Sequence, residues 1–149
     1  MKKLNLPPFD YNIREIDGKR SIFDILRKKF VVLTPEEWVR QHFVHLLINH
    51  YHYPKSLMRI ESGLKYNQLN KRSDILIYDR EGNPFLIVEC KSVDVEISPK
   101  TFTQASVYNL SIKARYVAVT NGLNTFCCLI NHEIESFEFI KDIPSMNIS

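Results

Sequence analysis

The stretch Arg72-Ser-Asp-Ile-Leu-Ile-Tyr-Asp-Arg-Glu-Gly-Asn-Pro-Phe-Leu-Ile-Val-Glu-Cys-Lys-Ser92 decides the fold. Residues Arg72 to Asp79 read as one strand and Pro84 to Ser92 as the next, with Arg80-Glu-Gly-Asn83 as the tight turn between them. Side chains alternate faces along a strand, so Phe85, Ile87, Glu89 and Lys91 are expected on one side. Two charged groups therefore end an apolar row, and Asp74 stands opposite them on the paired strand. Charge at the end of a buried strand requires a partner or a metal.

Upstream, Thr34 is a suitable N-cap, Pro35 suits the first helical position and Glu37 follows three residues after the cap. Trp38, Val39, Phe43, Leu46 and Leu47 recur at helical spacing, which predicts a helix from Pro35 to about Tyr51. A strand is expected from Leu57 to Lys65. Downstream, Ser98 and Pro99 open a second helix that runs to Ile112. Arg115 to Thr120 is nearly all apolar, as in a sheet interior. Asn124 to Ile130 and Ile134 to Ile140 form a last hairpin. The second helix is long enough to cross from the Glu89 strand to a parallel Arg115 strand. The expected fold is α/β: a central mixed sheet flanked by helices, in one domain spanning residues 1–149. Residues 1–30 are expected as an N-terminal arm packed on that body, with short strands at Tyr11 to Ile16 and Ser21 to Phe23.

The bulk numbers fit this reading. The 149 residues carry a net charge of +3, which permits a nucleic-acid partner without demanding one. No apolar run reaches the length of a membrane span, and the N-terminus lacks the pattern of a secretory signal. Cys90, Cys127 and Cys128 are too few and wrongly spaced for a disulfide framework or a zinc ribbon. A cytoplasmic setting is expected.

The charged residues have a coherent chemistry. Phosphodiester hydrolysis needs a nucleophile near neutral pH and counter-charge on the transition state. A magnesium or manganese ion held by hard oxygen ligands supplies both. Asp74 and Glu89 are the candidate ligands, with the Cys90 backbone carbonyl as a further one. Lys91 would orient the water or stabilise developing charge. Lys71, Arg72 and Lys100, with other scattered cations, are candidates for a phosphate-tracking surface.

Glu37 in the first helix, Arg72-Ser-Asp74, Val88-Glu-Cys-Lys91, Gln104-Ala-Ser-Val-Tyr108 and Val119-Thr-Asn-Gly122 occur in an order that resembles the PD-(D/E)xK nuclease superfamily. The likeness is to the N-terminal nuclease-type domain of type I restriction enzyme R subunits, and it covers about Val31 to Asn131. The resemblance implies a restriction-endonuclease-like core and a DNA endonuclease activity. It implies that Asp74 and Glu89 bind the divalent ion, that Lys91 assists the attacking water and that Glu37 is the helical acid of the site. Gln104 and Tyr108 match a helix that braces the site or the DNA. Ser73 departs from the proline common before the aspartate. DNA and other restriction or repair subunits are the implied partners.

Each residue also has a plainer reading. Glu37 suits a capping box, Glu89 and Lys91 an exposed ion pair, and Asp74 the start of a strand. His42 and His45 share a helix face, but no acid or cysteine falls in register for zinc. A catalytically weak nucleic-acid-binding or assembly module of the same fold is the alternative function. A homodimer through the arm or an edge strand such as Ile134 to Ile140 is a third reading.

Overall fold

A computed structural model describes residues 1–61 and 74–146, and the side chains of Glu61, Asp74, Val107, Tyr108 and Ser111 lie outside what it describes. Three short strands come first: β1 (Ile13–Ile16), β2 (Lys19–Asp24) and β3 (Lys29–Val32). They form an antiparallel meander. Its first turn is Asp17-Gly18, with φ of 51° and 77°. Such a left-handed pair matches the twist of a two-residue hairpin. β3 was not expected from the sequence, since Arg27-Lys28-Lys29 reads as solvated charge. Ile22 from β2 and Leu4 from the preceding segment join the main core.

Helix α1 (Pro35–Asn49) follows, with Thr34 as its N-cap. Then come β4 (Met58–Glu61), β5 (Asp74–Tyr78) and β6 (Pro84–Cys90). The expected continuation of β4 to Lys65 and the start of β5 at Arg72 lie outside the described residues. Helix α2 (Pro99–Ile112) leads to β7 (Tyr116–Thr120), β8 (Thr125–Asn131) and β9 (Ser136–Ile140). β4 to β9 lie side by side in chain order as one six-stranded sheet. Every pairing is antiparallel except β6 with β7. The parallel step is the one that α2 spans. This is the mixed α/β architecture expected, consistent with a restriction-endonuclease-like core.

The sheet has a helix on each side. Trp38, Val39, Phe43, Val44 and Leu47 of α1 pack with Ile75, Ile77, Leu86, Val88 and Cys90. Ala105 of α2 packs with Leu76, Ile87, Val117 and Val119 on the opposite face. Alternation therefore holds along most of β6. Phe85 breaks it. The sequence predicts it beside Ile87, yet its ring lies on the α1 side against Tyr53 and Tyr116. The register explains this: Ile77 faces Leu86 and Tyr78 faces Pro84, so Phe85 is the extra residue of a bulge. A bulge turns two successive side chains toward the same side.

The turn before β6 is set by Asp79. Its Oδ1 accepts from the Glu81 and Asn83 amides, both at 2.9 Å, and Gly82 supplies a φ of 87°.

Candidate functional site

The C-terminal end of β6 carries the chemistry-bearing groups. Glu89 is only 4% exposed, although it is a carboxylate. Its Oε1 lies 3.3 Å from Lys91 Nζ, and Lys91 is the more open of the two. The Lys91 amide donates to the Thr120 carbonyl at 2.8 Å, so the backbone remains tied to β7 just past the strand end. Glu89 alternates with Cys90 of the α1-side core and follows Ile87 of the α2-side cluster. It therefore belongs to the α2 face of the sheet.

Asp74 begins β5, and its backbone pairs with Glu61 of β4. Ile75 pairs with Val88, which puts position 74 level with position 89. Adjacent strands are about 4.8 Å apart, so positions 74 and 89 lie one strand spacing apart. Positions 61, 74 and 89 thus form one acidic row across three neighbouring strands. Sequence reading missed Glu61 because the register of β4 against β5 has no local signal. Where the Asp74 carboxylate points lies outside the described residues, as do Lys71, Arg72 and the Tyr108 side chain.

Glu37 lies in the first turn of α1. Its amide donates to Thr34 Oγ1 at 3.0 Å, which is half of a capping box. The carboxylate does not complete the box. It pairs instead with Arg40, with Arg27 at 3.3 Å and with Gln41 Nε2 at 2.8 Å. Arg27 and Arg40 also reach Asp24, which is fully buried, at 2.7 and 3.5 Å. The result is a four-membered ionic cluster that joins β2 to α1. Burial alone would raise the Asp24 pKa, but hydrogen bonds from Arg27 and from the Leu26 amide outweigh it and hold the carboxyl below its usual value. Burial, and secondarily the Arg27 charge, pull Arg40 down to about 10, so it stays cationic at neutral pH. The ion pairs of Glu37 are with Arg27 and Arg40, and its hydrogen bonds are with Thr34, Arg27 and Gln41.

Asn121 is a functional-end residue that the sequence offered only within a longer motif. It is 4% exposed. Its Nδ2 donates to the Val95 carbonyl at 2.8 Å, and its Oδ1 accepts from the Leu123 and Asn124 amides at 3.0 and 2.8 Å. It thereby fastens the loop leaving Lys91 to the turn after β7. The N-terminal segment closes over this turn. The Asn5 amide donates to the Gly122 carbonyl at 2.8 Å, Trp38 Nε1 donates to the Lys2 carbonyl at 2.9 Å, and Lys2 pairs with Asp94. Gly122 has a φ of 86°, and a Cβ there would meet Leu4 at 2.8 Å. Asn121→Ala is expected to lower stability by about 1–3 kcal/mol, since three backbone groups lose their partner. Urea denaturation of the variant checks this.

The other candidates are placed as follows. Lys100 and Gln104 are exposed on α2. His42 Nδ1 lies 2.8 Å from the Trp38 carbonyl, and His45 stacks on Phe9 at 4.2 Å. Burial lowers both imidazole pKa values, so both are neutral at pH 7. Cys127 and Cys128 are buried, and burial pushes their thiols up to about 12 and 11. They are inert packing residues. Among the described residues no group of three or more His, Cys, Asp or Glu is placed to hold a metal ion. Nor is any helix among them long and apolar enough to cross a membrane.

A buried carboxylate beside a lysine, at a strand end level with another acid, offers hard oxygen donors and a cation. That donor set suits a hydrated magnesium or manganese ion. Comparison with curated proteins finds no match. Comparison with protein families finds one that covers residues 35–144, described as type I restriction enzyme R protein N terminus. The matched span takes in α1, the whole six-stranded sheet, Glu89, Lys91 and Asn121. The chain belongs to the type I restriction enzyme R protein N-terminus family.

Proposed function

We propose that this chain is a metal-dependent nuclease domain of the PD-(D/E)xK type that hydrolyses phosphodiester bonds in DNA. The observation that carries this reading is the buried Glu89 carboxylate at 3.3 Å from Lys91, on a central strand. Glu89 and Asp74 would hold magnesium or manganese, with the Cys90 backbone carbonyl as a further donor. When bound, the ion supplies a water of lowered pKa and counter-charge for the phosphate oxygens. Lys91 positions that water or the developing negative charge. Glu61, level with Asp74, is a candidate outer carboxylate. Lys100 and Gln104, on the exposed side of α2, would touch the nucleic acid, together with Lys71, Arg72 and Tyr108.

Glu37 takes a different part from the one the resemblance implied. Two guanidiniums already neutralise its carboxylate. It would support the site through α1 rather than bind the ion. That same feature favours a second reading, in which the chain is an assembly or DNA-binding module that turns over little. As in the restriction enzymes that name its family, DNA and further subunits would be its partners.

Plasmid nicking with manganese, beside a chelator control, separates the two. Cleavage that requires the metal supports the nuclease reading. Binding with steep salt dependence but no cleavage supports the module. Metal should also act on the fold, because carboxylates brought to one row repel until a cation joins them. At an ion concentration of 100 times its Kd, binding to the native state adds about 2.7 kcal/mol. For a domain of this size that is a rise in Tm of roughly 5–10 °C. A thermal scan unmoved by millimolar magnesium or manganese counts against the site.

A further inference from the structure

β9 forms one edge of the six-stranded sheet. Its five residues, Ser136-Phe-Glu-Phe-Ile140, pair with β8 in a continuous register without a bulge. It contains neither proline nor lysine. Those are the features that usually protect an edge strand from pairing with another chain. The edge is also apolar. Phe137 and Phe139 are 59% and 57% exposed. With Phe126 they border a groove of about 560 Å³ between β9 and α2, walled by Ile97, Phe102 and Leu110. Leu110 is 61% exposed, and Ile134, in the turn that leads into β9, is 70% exposed.

We propose that this edge is a homodimer interface, in which β9 pairs antiparallel with β9 of a second copy. The area argues for it. A phenylalanine presents about 200 Å², so three of them at roughly half exposure leave about 300 Å² to cover. With Leu110 and Ile134 each copy offers on the order of 500 Å² of apolar surface, and the pair about 1,000 Å² before backbone and rim are added. That reaches the size of a specific interface. β9 has no strand on its outer side among the described residues, so its outward backbone groups can pair with another extended strand.

The charges select the register. Centring the two-fold on Glu138 would oppose the glutamate to its own copy, which is unfavourable. Centring it on Phe139 sets the two Phe139 rings opposite one another. It also puts Glu138 against Ile140 and Phe137 against Lys141. Each copy's groove is then closed by the other's phenylalanines. This proposal stands apart from the nuclease reading, because pairing needs neither metal nor Glu89.

Sedimentation from about 1 to about 100 µM protein, in chelator, tests it directly. The intact chain is expected to sediment as a dimer. Phe137→Lys with Phe139→Lys should weaken association by at least about 100-fold, since buried aromatics carry most of an interface. Both positions are exposed in the single chain, so the variant should keep its Tm within a few degrees, which shows that it has folded. Leu110→Lys is the independent second variant and should weaken association as well. A chain that stays monomeric across this range overturns the proposal, as does a dimer that survives all three substitutions. A monomer that instead captures another restriction subunit through this edge also overturns it.

Discussion

Asp24→Ala is expected to lower stability by about 3–5 kcal/mol, because it breaks a buried ion pair and strands its partner. Asp24 is fully buried, and so is all but 1% of Arg40. The Asp24 carboxylate accepts from the Leu26 and Arg27 amides at 2.8 and 3.1 Å and from Arg27 Nε at 2.7 Å. Without it, two guanidiniums would share Glu37 alone. Arg40 Nε already has no hydrogen-bond partner among the described residues. For a domain of about 150 residues the loss corresponds to a fall in Tm of roughly 10 °C or more. Thermal and urea denaturation measure it. Asp24→Asn, which keeps an acceptor but loses the charge, should fall between. The pH dependence has a definite sign. The folded pKa of Asp24 lies below its ordinary value, so its contribution is complete above about pH 4 and is lost as the pH falls through the folded value. The alanine variant should therefore show a flatter acid limb than the intact protein. A variant as stable as the parent would mean that the cluster contributes nothing net.

The second large effect concerns the proposed chemistry. Lys91→Ala and Glu89→Gln should each slow metal-dependent nicking by about 10²–10³-fold, the usual cost of removing a group that acts on transition-state charge. Their responses to metal should differ. Lys91→Ala keeps the carboxylates and should retain the rise in Tm on adding manganese. Glu89→Gln removes a ligand and should lose most of that rise. Equal loss in both would make the lysine a structural counter-ion rather than a working group. Unchanged nicking in both would remove this end of β6 from the mechanism altogether.

Much of the fold was legible because its signals are local. α2 begins and ends where Ser98-Pro99 and Ile112 predict, and α1 stops at Asn49, two residues before the expected Tyr51. The apolar runs of β6 and β7 announce a buried parallel pair. What escaped was set mostly at long range. β3 is only four residues long, and its Phe-Val-Val run, a strand signal, was passed over because it follows directly on Arg27-Lys28-Lys29. Asp24 drew no notice in the sequence, because its partner Arg40 is sixteen residues away on α1. Phe85 changed sides because a bulge cannot be seen without its partner strand. The site was half legible: Glu89 and Lys91 meet because they are two apart on one strand. Glu61 enters the row only through pairing, and Glu37 pairs with Arg40 one turn along its own helix and with Arg27 from the turn between β2 and β3.

The first residues of the chain also bear on how the protein should be handled. Lys2, Leu4 and Asn5 hold Trp38, the Gly122 turn and the Asp94 loop together. A boundary drawn a few residues later for crystallisation would remove the contacts that tie Trp38, the Gly122 turn and the Asp94 loop together. Apparent inactivity in such a preparation would then describe the cloning strategy rather than the protein.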